Sequence, residues 1–376
     1  MSWKEEYDSL KFQEANMNVL TIELTTIQDD DRAVYLTGNF NDWKAQDETY
    51  KMRKIGDGVY HYTFEENVEL PTPIQYKYVK GTWRDVEMDQ FGCDVHHRTI
   101  DGTGRTVKDK VPRWKKEGTA HNPKYLPQIE LVTTGEDIPQ LRRKRKIQVV
   151  LPHNYHQTNK HYPVIYLQDA QNLFDEKAPF GNWAIDKTLS VLAEKNQKEV
   201  IVVANDHAGE ERLKDFNPVL SEENDKEGIK YIKLVAKYLK PYIDERYRTL
   251  PSREHTAIGG SSLAGLISLY AILNRSDVFG KALIFSPSLW IAPAAYLDAT
   301  TFLPQDATRI YLYGGGKESD YMLNNINRLK ESFEWQRENA ENLQVLLSTD
   351  PEGHHNEERW GKEFPRAIDW LFFNKI

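Results

Sequence analysis

At 376 residues the chain is too long for one average domain and suits two, and 39% hydrophobic residues can build sizeable cores. The formal charge of −8 argues against a nucleic-acid partner, which calls for a basic surface. No apolar run approaches the roughly 18 residues that a membrane span needs, so no membrane partner is expected either. The single cysteine, Cys93, excludes an intrachain disulfide and is expected to be a packed thiol. The opening Met-Ser-Trp-Lys-Glu-Glu-Tyr carries no basic stretch followed by an apolar one. Both features point to a reducing cytoplasm, with secretion left open should a trimmed leader precede this sequence.

The first third alternates in short runs divided by turn residues. Val19–Leu24, Ala33–Leu36, Val59–Phe64 and Ile74–Val79 each read as strands, so an all-β sandwich is expected. Asn39-Phe40-Asn41-Asp42-Trp43 is a turn carrying two aromatics, and Gly81-Thr82-Trp83 follows the tyrosine-rich strand. These segments, with Tyr76-Lys77-Tyr78 and Arg98-Thr99-Ile100, resemble the starch- and glycogen-binding carbohydrate modules with an immunoglobulin-like β-sandwich. The resemblance implies carbohydrate binding through Trp43 and Trp83, with a polysaccharide as a candidate partner. A pyranose face laid on such a ring leaves water on the usual apolar scale, about 25 cal/mol per Å². A purely structural sandwich is the competing expectation. His96 and His97 stand where the modules carry Pro-Asn. Adjacent side chains in an extended segment point opposite ways, so no metal is assigned. The expected division is a module over 1–112, a linker rich in Lys, Pro and Gly over 113–124, and a second domain over 125–376.

That second region alternates strands and helices, as a doubly wound, mostly parallel sheet requires. Strands are expected near 146–151, 163–168, 199–204, 255–259, 281–285, 309–313 and 343–348. Helices are expected near 184–196, 226–246, 263–274, 320–340 and 361–373. The basic run Arg142–Lys146 reads as a solvated edge, and Ser221–Glu227 as a solvated helix start.

Within this region an apolar run breaks into Gly259-Gly260-Ser261-Ser262, and an apolar helical pattern starts at once. This is the outline of a nucleophile elbow, with Gly260 and Ala264 as the small neighbours of Ser262. Ser261 is the rival frame, but it would put bulky Leu263 at the close-contact position. A serine needs a base, and the base needs an orienting acid; in this architecture they follow in the order Ser, acid, His. Past the strand at 309–313, Gly314-Gly315-Gly316 leads to Glu318, with Asp320 as its rival. Past the last strand come His354 and His355, one of which is the expected base.

The stretch from about Tyr125 to Ile376 resembles the putative-esterase family of α/β-hydrolases, which includes enterochelin, feruloyl and acetyl-xylan esterases, esterase D-like enzymes and mycolyltransferases. The matching segments include Tyr166–Asp175, Lys240–Asp244, Tyr247–Thr249, Ser286–Trp290 and His355-Asn356-Glu357 with Trp360. The resemblance implies an α/β-hydrolase fold and a serine esterase. It favours Glu318 over Asp320 and His355 over His354. Ala170 and Ala264 stand where the family usually has Gly. It also implies a second oxyanion donor at the backbone N–H of Gln171, with Ala170 as the alternative, beside that of Leu263 after the nucleophile.

Trp183, His207, Arg212 and Trp290 fall in loops at strand carboxyl ends and are pocket candidates. For Arg212, pairing with Glu210 or Asp215 is expected ahead of substrate contact. The expected function is a cofactor-free serine carboxylic-ester hydrolase acting through an acyl-enzyme on a small-molecule or oligosaccharide ester, an acylated carbohydrate being favoured. A cytoplasmic siderophore-ester hydrolase is the alternative enzyme. A carbohydrate-binding protein with a silent hydrolase domain is the alternative from another class.

Overall fold

The computed structural model describes residues 19–374 apart from 31, 66–67, 103, 134–144, 179, 197, 208, 220, 223–224 and 336–340. The chain divides into two compact units, Met1–Asn122 and Pro123–Ile376.

The described residues of the first unit form β-sheets with short turns and no α-helix. In the strand Thr21–Thr26, Ile22 and Leu24 alternate with polar residues and are fully buried. It pairs antiparallel with Val59–Thr63 and parallel with Thr106–Val111, and Arg53–Gly56 completes that sheet. A second sheet orders Tyr35–Gly38, Ile74–Val79 and Arg98–Ile100. Leu24, Leu36, Tyr60, Tyr76 and Tyr78 from the two sheets share one core. Cys93 is buried, as expected of a packed thiol. The expected linker over 113–124 requires correction. Arg113–Trp114 is a strand paired with Glu87–Met88, and Trp114 is buried in the sandwich core, its indole N–H donating to Thr26 Oγ1 at 2.8 Å. The division therefore falls after Asn122.

The second unit is built on eight strands: β1 (Gln128–Thr133), β2 (Ile147–Leu151), β3 (Val164–Gln168), β4 (Ile201–Asn205), β5 (Thr256–Ser261), β6 (Lys281–Phe285), β7 (Thr308–Gly315) and β8 (Leu343–Asp350). Their spatial order is β1-β2-β4-β3-β5-β6-β7-β8, parallel from β4 onward, with β2 antiparallel to both neighbours. β3, β4 and β5 are buried at every position, as the inner strands of a sheet covered on both faces must be. All seven expected strands are present, within a residue or two at most ends. β1 was not expected; it is an edge strand whose Ile129 and Leu131 stay exposed.

The helices follow the sequence pattern with local departures. The segment 226–246 is helical as Glu227–Leu234 and Lys240–Arg246, joined by a π turn at Val235–Leu239. Pro241 has no N–H for the carbonyl four residues earlier, which disfavours a regular α-helix there. The last helix begins at Glu357, a turn earlier than expected, because Asn356 caps it through the Arg359 N–H at 2.9 Å. Two local expectations are corrected, the helix start at Ser221 and the solvated edge at Arg145. Ser221–Glu222 pairs with Asp225–Lys226 as a short hairpin before the helix. Arg145 is buried rather than solvated, ion-paired to Asp215 with its guanidinium 4.8 Å from the Tyr231 ring centre; Arg142–Lys144 lie outside the described residues. Among the described residues no helix is long and apolar enough to cross a membrane.

Candidate active site

β5 delivers Ser262 at the carboxyl edge of the sheet. Ser262 has φ 57° and ψ −122°, a conformation that costs a non-glycine residue about 1–3 kcal/mol and persists only where its surroundings impose it. Those surroundings are visible. The Ser262 N–H donates to Phe285 O at 2.9 Å, and its carbonyl accepts from Leu266 at 3.0 Å and Ser288 at 3.1 Å. A Cβ on Gly260 would lie 2.6 Å from Ala264 Cβ, and one on Gly265 2.8 Å from Phe285 O. Ala264 is thus accommodated because Gly260 faces it. Ser261, the rival, ends the strand and is buried.

The neighbouring strand ends bring up the other groups. Glu318 follows β7, and its side chain is fully buried. Its Oε2 lies 2.7 Å from His355 Nδ1, while Oε1 accepts from the Ser286 hydroxyl at 2.6 Å and the Gly315 N–H at 2.7 Å. His355 follows β8, is 39% exposed and meets the Trp360 ring edge-on with 4.8 Å between centres. Asp320 and His354, the rivals, are exposed. An ionised carboxylate only accepts, so Nδ1 carries the imidazole proton and leaves Nε2 free as a base. The Ser262 hydroxyl lies 3.3 Å from Ser288 Oγ, and no hydrogen bond joins it to His355 here. Catalytic hydrogen bonds often close only when substrate binds.

β3 runs beside β5, with Leu167 opposite Gly259, so the loop after β3 borders the elbow. Asp169 there is left-handed (φ 58°, ψ 49°) and opens a tight turn over Ala170–Asn172. The Asn172 N–H closes that turn on Asp169 O at 2.9 Å. The Gln171 N–H, like that of Leu263 in the first helical turn, precedes the first internal hydrogen bond of its element. The Gln171 side chain meets the His207 backbone at 3.4–3.5 Å.

Arg212 corrects the sequence reading. Its partner is neither Glu210 nor Asp215 but Asp169, gripped by two hydrogen bonds of 2.9 and 2.6 Å. Trp183 is also corrected: it is 3% exposed and stacked on Phe285 at 5.5 Å, a core residue and not a pocket wall. Trp290 is 77% exposed on the loop after β6. His207 is half-buried, and burial pulls its imidazole below the usual range. Asp206 beside it is pushed up to about 6, chiefly by burial. Burial also raises Glu357, which accepts from Asn172 Nδ2 at 3.0 Å. In the first unit Trp43 and Trp83 sit 6.2 Å apart at 38°, with Trp83 43% exposed and His97 edge-on to Trp43 at 5.8 Å.

Sequence reasoning gave no role to Asp169, Asn172, Ser286 or Ser288. The Ser286-Pro287-Ser288 segment was the available signal for the last two, since it directly follows a strand.

The sequence pattern of the family described as Putative esterase matches residues 138–371. An uncharacterised Bacillus subtilis (strain 168) protein, YbbA, is 24% identical over 242 residues, covering 61% of this chain and 92% of that protein. An α-amylase of Niallia circulans is 38% identical over 86 residues, 22% of this chain and only 6% of that much longer protein. Among solved structures, the Shigella flexneri enterobactin esterase in the presence of 2,3-dihydroxy-N-benzoyl-serine has a TM-score of 0.53 at 13% identity, covering 96% of this chain and 97% of that one. Since the family pattern spans more than half its length, the chain belongs to the putative-esterase family: it is an esterase, a carboxylic ester hydrolase of α/β-hydrolase fold.

Proposed function

We propose that Ser262, His355 and Glu318 form the catalytic triad of a serine esterase that works through an acyl-enzyme. His355 Nε2 takes the hydroxyl proton as Ser262 Oγ attacks the ester carbon. Glu318 fixes the tautomer and stabilises the imidazolium that forms. The N–H groups of Leu263 and Gln171 receive the oxyanion, each such donor being worth about 3–4 kcal/mol in the transition state. The alkoxide leaves with the proton from His355, and water repeats the sequence to release the acid. The observation that carries this reading is the strained serine just past β5, with the Glu318–His355 hydrogen bond on adjoining strand ends.

An acylated carbohydrate is the favoured substrate class, with acetyl or feruloyl as the acyl group. The paired Trp43 and Trp83 rings of the first unit support it, as does the likeness of 86 residues to part of an α-amylase. A siderophore ester is the second reading, supported by the likeness, over 96% of this chain, to the enterobactin esterase. A hydrolysis panel tests the choice. Acetyl and feruloyl sugars turned over faster than a catecholate triester support the first reading, and the reverse order replaces it with the second. No turnover of any ester, together with retention on glycogen, would indicate a silent binding protein.

A further inference from the structure

The geometry points to Ser286 as a positioning residue that orients the triad acid through its hydroxyl; this rests on the triad assignment above. Ser286 directly follows β6, and its side chain has no contact with solvent. It has φ 44°, a left-handed value unusual for a non-glycine residue, and its N–H is tied to Tyr313 O at 2.8 Å. It therefore parallels Ser262 one strand away: a second strained serine at a strand end. Strain at a buried serine is retained only where the surrounding structure enforces it, and it clusters at functional sites.

The hydrogen bonds around Ser286 leave one arrangement of its proton. The Trp360 indole N–H reaches Ser286 Oγ at 2.9 Å, and an indole can only donate. Glu318 Oε1 lies 2.6 Å from the same oxygen, and an ionised carboxylate can only accept. The hydroxyl proton must therefore point at Glu318. A directed relay results: Trp360 donates to Ser286, Ser286 donates to Glu318 Oε1, and Glu318 Oε2 accepts from His355 Nδ1. With the Gly315 N–H also on Oε1, the carboxylate is pinned at both oxygens. Its plane, and with it the direction of the imidazole, is fixed before substrate arrives. Trp360 serves the relay twice, because its ring also packs edge-on against His355. Ser288, two residues on, approaches Ser262 Oγ at 3.3 Å, so one short loop touches both ends of the triad.

Two substitutions separate the hydroxyl from the backbone. Ser286→Gly removes the hydroxyl and relieves the left-handed strain, whereas Ser286→Ala removes the hydroxyl and keeps the strain. If the hydroxyl orients the acid, both variants lose kcat by about tenfold to a hundredfold, the range expected for a hydrogen bond to a charged group. KM stays within about twofold, and labelling of Ser262 by a fluorophosphonate slows in parallel. Trp360→Phe, which keeps a ring but deletes the donor, lowers kcat in the same direction. Wild-type kcat in Ser286→Gly, with a loss confined to Ser286→Ala, would overturn the inference and leave only a backbone role. The Ser262→Ala control keeps the two assignments apart. Activity surviving that control defeats the triad itself, while an inactive control beside a fully active Ser286→Gly defeats only the role of Ser286.

Discussion

At the scale of the residue, the site is a set of side chains held in conformations or environments they would not choose. Ser262 and Ser286 are strained, Glu318 is a fully buried carboxylate, and Asp206 is half-buried. Asp206 makes a testable contribution to stability. Its folded-state value of about 6 lies above the ordinary 3.8, so between those values the folded protein holds the proton more tightly than the unfolded chain. Its contribution is therefore fully present at low pH and is lost as pH rises through about 6. Asp206→Asn keeps the shape without the charge. We expect it to raise Tm relative to the parent at about pH 7.5 and by clearly less at about pH 4. Equal gains at both would show that burial does not raise this group. The sequence could supply Glu318 and His355, because each stands just past a strand in a glycine-bearing loop. It could not supply their orientation, because one of the two donors on Glu318 Oε1 is a side chain 32 residues earlier, itself fed by Trp360.

At the scale of the element, the strands were legible and the loops between them were not. Inner parallel strands are continuous apolar runs, and the register of β3, β5, β6, β7 and β8 brings their carboxyl ends to one edge. The edge strand β1 was missed because its apolar Ile129 and Leu131 are exposed, so no buried face marks it in the sequence. Loop partners are set by long-range packing: Arg212 grips Asp169 across 43 residues, and Asn172 meets Glu357 across 185. A loop position likewise did not reveal that Trp183 turns inward. The Asp169–Arg212 grip holds the left-handed residue that opens the turn carrying the Gln171 N–H. Arg212→Leu should therefore lower kcat/KM by about tenfold to a hundredfold, since losing a charged hydrogen-bond partner costs about 1.5–3 kcal/mol. Steady-state kinetics on a small neutral ester would read this, and unchanged kcat/KM would remove the grip from the account of the proposed oxyanion loop.

At the scale of the whole molecule, two units of different architecture carry separate expectations. The switch from period-two strands to alternating strands and helices marked the change of architecture. The exact division did not show, because Trp114 lies in a lysine-rich stretch yet its side chain completes the first core. Half-buried Trp43 and exposed Trp83 are held side by side, with the Trp83 indole N–H bonded to Trp43 O at 3.2 Å. Such a pair could receive the apolar face of a sugar. Trp43→Ala and Trp83→Ala should each weaken retention on glycogen or xylan columns severalfold; unaltered retention would remove these rings from sugar binding, and a parent protein that is not retained would leave the sandwich a structural unit.

The central claim is that Ser262 becomes covalently acylated. Mass spectrometry of acid-quenched enzyme after brief exposure to a slowly deacylating ester tests it most directly. The account predicts an acyl adduct on the peptide containing Ser262, and a Ser262→Ala variant that forms none and turns over at least about a thousandfold more slowly. An adduct on another residue, or undiminished hydrolysis by Ser262→Ala, would contradict it.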